Sequence, residues 1–166
     1  SEDILDDKID DGSFDYAKDY ACLNSEHTGY ASIEENGITR EYILHIPASY
    51  DSTASTPLVI SFHGFGGCAS NFVDEAGDLN LVADSGNFIV AYPQATGGEK
   101  GDSYWDPGND GSQSIGENDT YFTKQIIAQI SNEYNVDSSK IYAIGYSNGG
   151  MMSYGLACTQ GNLFAA

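Results

Sequence analysis

Positive charge is scarce in this chain: six Lys and Arg stand against 25 Asp and Glu, a formal net charge of −19 over 166 residues. A surface so acidic repels phosphate backbones and anionic lipid, which excludes nucleic acid and membrane surfaces as partners. Solubility is its plainest use. No run of eighteen apolar residues exists, so no membrane span is expected. The three cysteines, Cys22, Cys68 and Cys158, form no Cys-x-x-Cys, and neither a zinc site nor any other metal site is expected. A secreted protein would bridge two of them and leave one over. An odd count also fits a chain cut short of a partner cysteine, and spacing does not choose the pair. The chain does not open on Met or on an apolar leader, as expected where a signal peptide has been removed or the chain trimmed. After Ser147 there is no Asp, no Glu and no His.

What is present has the composition of one globular domain: 40% hydrophobic and 12% aromatic, with twelve tyrosines. Residues 1–25 carry Asp-Asp pairs at 6–7 and 10–11 and read as an acidic, solvated N-terminal arm, with spacing that fits no EF-hand loop. Residues 26–166 read as the body. Ala31–Glu35, the turn pair Asn36-Gly37 and the alternating Thr39–Ile46 predict a β-hairpin, with Tyr42, Leu44 and Ile46 on one face. His45, alone on its strand, is expected on the surface or in packing. Leu58–Phe62 and Phe88–Tyr92 are short apolar runs of the kind buried in parallel sheets. A helix is expected over 69–84, with Phe72, Ala76, Leu79 and Val82 on one stripe, and another from 120 to 134 capped by Asn118-Asp119. Residues 94–117 are a long Gly-, Asp- and Ser-rich loop of the kind that carries function. Strands alternating with helices predict an α/β fold with a mostly parallel sheet and an antiparallel hairpin at one edge.

Chemistry concentrates in Lys140–Met152. A strand over 140–144 breaks at Gly145, Ser147 sits between glycines, and a helix follows over 149–159. Gly-x-Ser-x-Gly in a strand–turn–helix setting is the nucleophile elbow of an α/β-hydrolase, with the serine hydroxyl raised on a strained turn. The helix beyond it directs N–H groups at the reacting centre. Acyl transfer also needs two N–H donors for the developing oxyanion. Asn148, the residue after the nucleophile, supplies one; His63-Gly64-Phe65-Gly66-Gly67 supplies the other, assigned to Phe65. His63 is expected to orient that loop, not to act as base, because the base of this fold follows the serine. Trp105, the sole Trp, reads equally as a stacking wall for an aromatic or sugar-like acyl group and as a loop anchor.

Gly37–Pro47 with Arg40-Glu41-Tyr42, Pro57–Gly67, Ala91-Tyr92-Pro93-Gln94-Ala95, Tyr104-Trp105, Asn118-Asp119 and Ile141–Cys158 together resemble a group of secreted esterases. It contains polyhydroxybutyrate depolymerases, feruloyl esterases and acetyl xylan esterases. The resemblance runs from about residue 30 onward. It implies an α/β-hydrolase fold, a Ser–His–Asp triad, no cofactor, an ester substrate and export. The departure is the missing acid and base after Ser147, which predicts that the chain is the N-terminal part of such an enzyme. Its C-terminal strands and triad loops would then be absent, and the chain weak or inactive alone. An open sheet edge beside the serine strand predicts self-association or pairing with the missing half. Two other classes stay open: a non-catalytic hydrolase-like binding module, and a peptidase or acyltransferase on the same fold.

Overall fold

The computed structural model describes residues 22–23, 25–96, 103–108, 116 and 118–166. Most of the acidic arm and two stretches of the 94–117 loop, on either side of 103–108, lie outside them.

The hairpin forms as its turn pair requires. β1 (Tyr30–Glu35) and β2 (Ile38–His45) pair antiparallel, and Asn36 and Gly37 turn the chain with φ of 53° and 78°. β3 (Thr56–Phe62), β4 (Ile89–Pro93) and β5 (Val136–Gly145) complete a five-stranded sheet of order β1-β2-β4-β3-β5. β3 pairs parallel with both β4 and β5, while β2 meets β4 antiparallel. β5 begins earlier than its apolar core, at Val136. Asp137 turns its carboxylate onto Ser139 and Lys140, and the register with β3 slips between Thr56 and Leu58.

Among the described residues four helices cover the sheet: α1 (Ala69–Glu75), α2 (Leu79–Gly86), α3 (Asp119–Glu133) and α4 (Asn148–Thr159). α1 and α2 replace the single helix expected over 69–84. Gly77 and Asp78 both take left-handed backbone, with φ of 67° and 61°, which no continuous helix admits. Alternation along the strands gives each face its own core. Tyr42, Leu58, Ile60, Phe62 and Ile141 pack with Phe122, Ile126 and Ile130 of α3 and Met152 and Leu156 of α4. Ile43, Val90 and Tyr92 point the other way, onto Ala69, Phe72 and Ala83 of α1 and α2.

Cys22 is bridged to Cys68, and Cys158 is a free, exposed thiol. β5 is the outermost strand, as expected, but part of its outer edge is occupied. Ala165 N–H donates to Ile141 O (2.8 Å) and Ala143 N–H to Ala166 O (3.1 Å), so the last two residues run beside it in its own direction. No helix among the described residues is long and apolar enough to cross a membrane.

Candidate active site

β3 and β5 end side by side, Phe62 opposite Gly145, and the segments leaving them meet. Tyr146 N–H donates to Phe62 O (3.1 Å), Gly149 N–H to Tyr146 O (2.8 Å) and Met151 N–H to Ser147 O (3.1 Å), which turns the chain sharply from β5 into α4. At the tip Ser147 is exposed and holds φ 52°, ψ −116°, a conformation that costs a non-glycine residue on the order of 1–3 kcal/mol. The close packing that enforces this bend is visible at its glycines. A β-carbon on Gly145 would overlap the Gly149 carbonyl, and one on Gly149 would overlap the carbonyl oxygen of Phe62.

The loop after β3 lies against this turn: a β-carbon on Gly64 would stand 3.6 Å from Ser147 Cβ. The next residue is Phe65. Its ring is exposed, and its amide, like that of Asn148, donates to no other described residue.

His63 holds the loop, as expected for an orienting residue. Ala95 N–H donates to its Nε2 (3.1 Å), so the proton sits on Nδ1, which donates to Gly64 O (2.7 Å). Burial lowers the His63 pKa below its ordinary 6.5, opposed by the bond to Gly64. The sign of the resulting pH dependence follows. Below pH 6.5 the unfolded chain binds a proton that the folded chain resists, so the stability held by neutral His63 is complete above that pH and declines as pH falls through and below it. Urea denaturation of wild type and His63→Asn is therefore expected to show a wider stability gap at about pH 7.5 than at about pH 5.5. An equal gap at both would contradict this assignment. His45 pairs with Asp84 (3.0 Å) on the far side of β2.

Trp105 is an anchor, not a wall. It is 2% exposed, its Nε1–H donates to His63 O (2.9 Å), and its ring meets Phe62 edge-on at 5.0 Å. Three further groups went unnoticed in the sequence. The Asn148 side chain accepts from Trp105 N–H (2.7 Å) and donates to Trp105 O (3.1 Å). Asp119 was read as half of a helix cap. Asn118 alone caps, accepting from Tyr121 N–H (2.9 Å), while Asp119 turns inward to Arg40 (2.7 Å) and accepts from Asp106 N–H (2.7 Å). Gln94 accepts from Ala69 N–H (2.8 Å) at the start of α1, and its carbonyl receives Arg40 (3.0 Å). The Asn118-Asp119 and Pro93-Gln94-Ala95 strings contain the last two, with no sign of their partners. Among the described residues no three His, Cys, Asp or Glu gather where they would hold a metal.

A mixed sheet with helices on both faces and a serine on a strained strand-to-helix bend define an α/β-hydrolase. Its solved likeness includes the acetyl xylan esterase from Aspergillus awamori, with a TM-score of 0.65 at 23% identity over 82% of this chain and 49% of that one. Residues 40–166 match the Esterase PHB depolymerase family, and the chain belongs to it. Curated relatives include the bifunctional acetylxylan esterase/xylanase XynS20E of Neocallimastix patriciarum, 33% identical over 80% of this chain and 18% of that protein. The probable feruloyl esterase C of Aspergillus terreus is 32% identical over 88% of this chain and 53% of its own length. The chain thus spans about half, or less, of the relatives it matches.

Proposed function

We propose that this chain carries the nucleophile and the oxyanion donors of a secreted serine carboxylester hydrolase. Ser147 Oγ attacks the ester carbonyl, and the amides of Phe65 and Asn148 receive the negative oxygen of the tetrahedral intermediate. The observation that carries this reading is the backbone of Ser147, held at φ 52°, ψ −116° on an exposed bend directly against Gly64. Strain held at an exposed serine is what a raised nucleophile requires.

A base must take the serine proton and an acid must orient that base. Neither residue type follows Ser147 in this chain. They come, in this reading, from the length of the relatives that the chain does not span, packed along the outer edge of β5. Separated from that portion, the chain hydrolyses esters weakly. The substrates are esters of plant-wall phenolics, acetylated sugars or hydroxyalkanoate polymers, in line with the names of the family and of the relatives. Export is supported by the Cys22–Cys68 bridge, a bond characteristic of oxidising compartments.

The competing reading, a binding module without catalysis, draws on the same missing acid and base. Treating the complete gene product with a fluorophosphonate and mapping the adduct separates the two. Covalent modification at Ser147, with loss of ester turnover in step, is the expected result. An unmodified Ser147 in a folded protein would favour the binding module.

A further inference from the structure

The two amides assigned to the oxyanion sit on separate segments, one leaving β3 and one opening α4. A hole made from two segments works only if their separation is held. One residue touches the support of both. Trp105 Nε1–H donates to the carbonyl of His63, two residues before Phe65 (2.9 Å). The Trp105 backbone engages the Asn148 carboxamide at both ends, its N–H donating to Oδ1 (2.7 Å) and its carbonyl accepting from Nδ2 (3.1 Å), across 43 positions of sequence.

Asparagine opening a helix has nearer partners available, and commonly turns back onto its own backbone. Here both ends of the carboxamide are committed to a distant loop. That loop is itself braced. Asp106 N–H donates to Asp119 (2.7 Å), Asp119 pairs with buried Arg40 (2.7 Å), and the Arg40 guanidinium lies 3.9 Å over the Phe122 ring. The Trp105 ring is fixed by edge-on contact with Phe62 at 5.0 Å. The brace therefore reaches from the sheet to the first residue of α4.

We infer that the Asn148 side chain is a positioning residue, whose two-point clasp on the Trp105 backbone sets the distance between the Asn148 and Phe65 amides and so the fit of the oxyanion. This rests on the reading of Ser147 as nucleophile. Asn148 contributes in two separable ways: its amide faces the substrate oxygen, and its side chain holds that amide in place. The clasp asks for a group that accepts and donates at once, a demand that excludes a carboxylate and admits a protonated carboxylic acid.

The test uses the complete gene product with p-nitrophenyl acetate, any Trp outside these 166 residues replaced by Phe, and follows the fluorescence of Trp105, the sole Trp among the 166. Asn148→Ala is expected to lower kcat about tenfold to a hundredfold, as sub-ångström to ångström misplacement of a catalytic donor does, with KM changed less than about twofold. Trp105 emission shifts red as the loop loosens. Asn148→Asp supplies the second arm. Its kcat relative to wild type at the same pH is expected to rise as pH falls through the range where the new carboxyl takes up a proton and regains a donor. Trp105 emission should return toward wild type over that range.

Unchanged kcat in Asn148→Ala, with wild-type turnover normal, overturns this inference alone, whether or not the emission moves. A pH-independent ratio for Asn148→Asp overturns it as well. Absence of ester turnover in the unvaried protein overturns the nucleophile reading, and this inference with it. Should Asn148→Ala fail to fold, seen as loss of a cooperative melt, the Asp variant still decides through its ratio.

Discussion

Gly149→Ala is expected to destabilise the protein by about 3 kcal/mol or more, at or beyond the upper end of the usual cost of overpacking. The added β-carbon would overlap the carbonyl oxygens of Phe62 and His63, at the end of β3. Main-chain carbonyls in a sheet cannot step aside as a flexible side chain would. Relief requires α4 to move off the sheet, carrying Ser147 with it. Gly150→Ala, one position on, should behave oppositely. Its nearest neighbour would be Gly145 O at 3.3 Å, a contact a small shift relieves. Alanine there gains up to about 1 kcal/mol of helix propensity over glycine, so a change within about 1 kcal/mol either way is expected. Thermal denaturation of the two variants side by side reads the contrast. For a domain of this size the first should melt about 6–12 °C below wild type. Equal melting temperatures would show that the α4–β3 approach is looser than described.

Asp119→Leu is expected to cost about 3–5 kcal/mol, because it strands the Arg40 guanidinium in the interior. Both partners are buried and joined at 2.7 Å. Burial lowers the pKa of Arg40 and raises that of Asp119, in each case against the attraction of the other. Desolvation thus dominates both groups, and the pair is held at a cost. Arg40→Met with Asp119→Leu should accordingly recover most of the stability lost in the single variant, since two apolar side chains replace two buried charges. A double variant as unstable as Asp119→Leu alone would mean that the pair itself stabilises the fold. Lost in both variants is the acceptor for Asp106 N–H (2.7 Å), so the 103–108 loop loses one of its tethers even where the melting temperature returns.

The physical basis of what could be read in advance is local. Asn36-Gly37 specifies a hairpin through backbone preference alone, and β1 and β2 form around it. Gly145 and Gly149 flanking Ser147 mark a tight strand-to-helix bend because main chain approaches both too closely for a β-carbon. Apolar runs mark β3 and β4 because both of their faces are covered. The expectations that missed are ones where tertiary partners decide. Phe72, Ala76, Leu79 and Val82 lie on a helical stripe, yet the chain breaks at Gly77-Asp78. Val136 joins β5 although Asp137 and Ser139 follow it, because they bulge out of register. At the site the strand-to-helix bend that carries Ser147 is legible from a motif. The polar groups packed around it are not. Arg40 and Asp119 are 79 positions apart, and Asn148 and Trp105 are 43 apart. No single sequence records which distant polar groups share a cavity. The role of Trp105 is set by its indole N–H on His63 O, 42 positions away in the sequence.

The bridge between Cys22 and Cys68 closes 46 positions of chain into a covalent ring that contains the whole hairpin and β3. On a chain-entropy basis a closure of that length narrows the denatured ensemble by about 4 kcal/mol. It also gives the molecule tolerance to being cut. A protease nick anywhere within the ring leaves both pieces attached, and the segment bearing Phe65 stays fastened three residues from the sulfur bond.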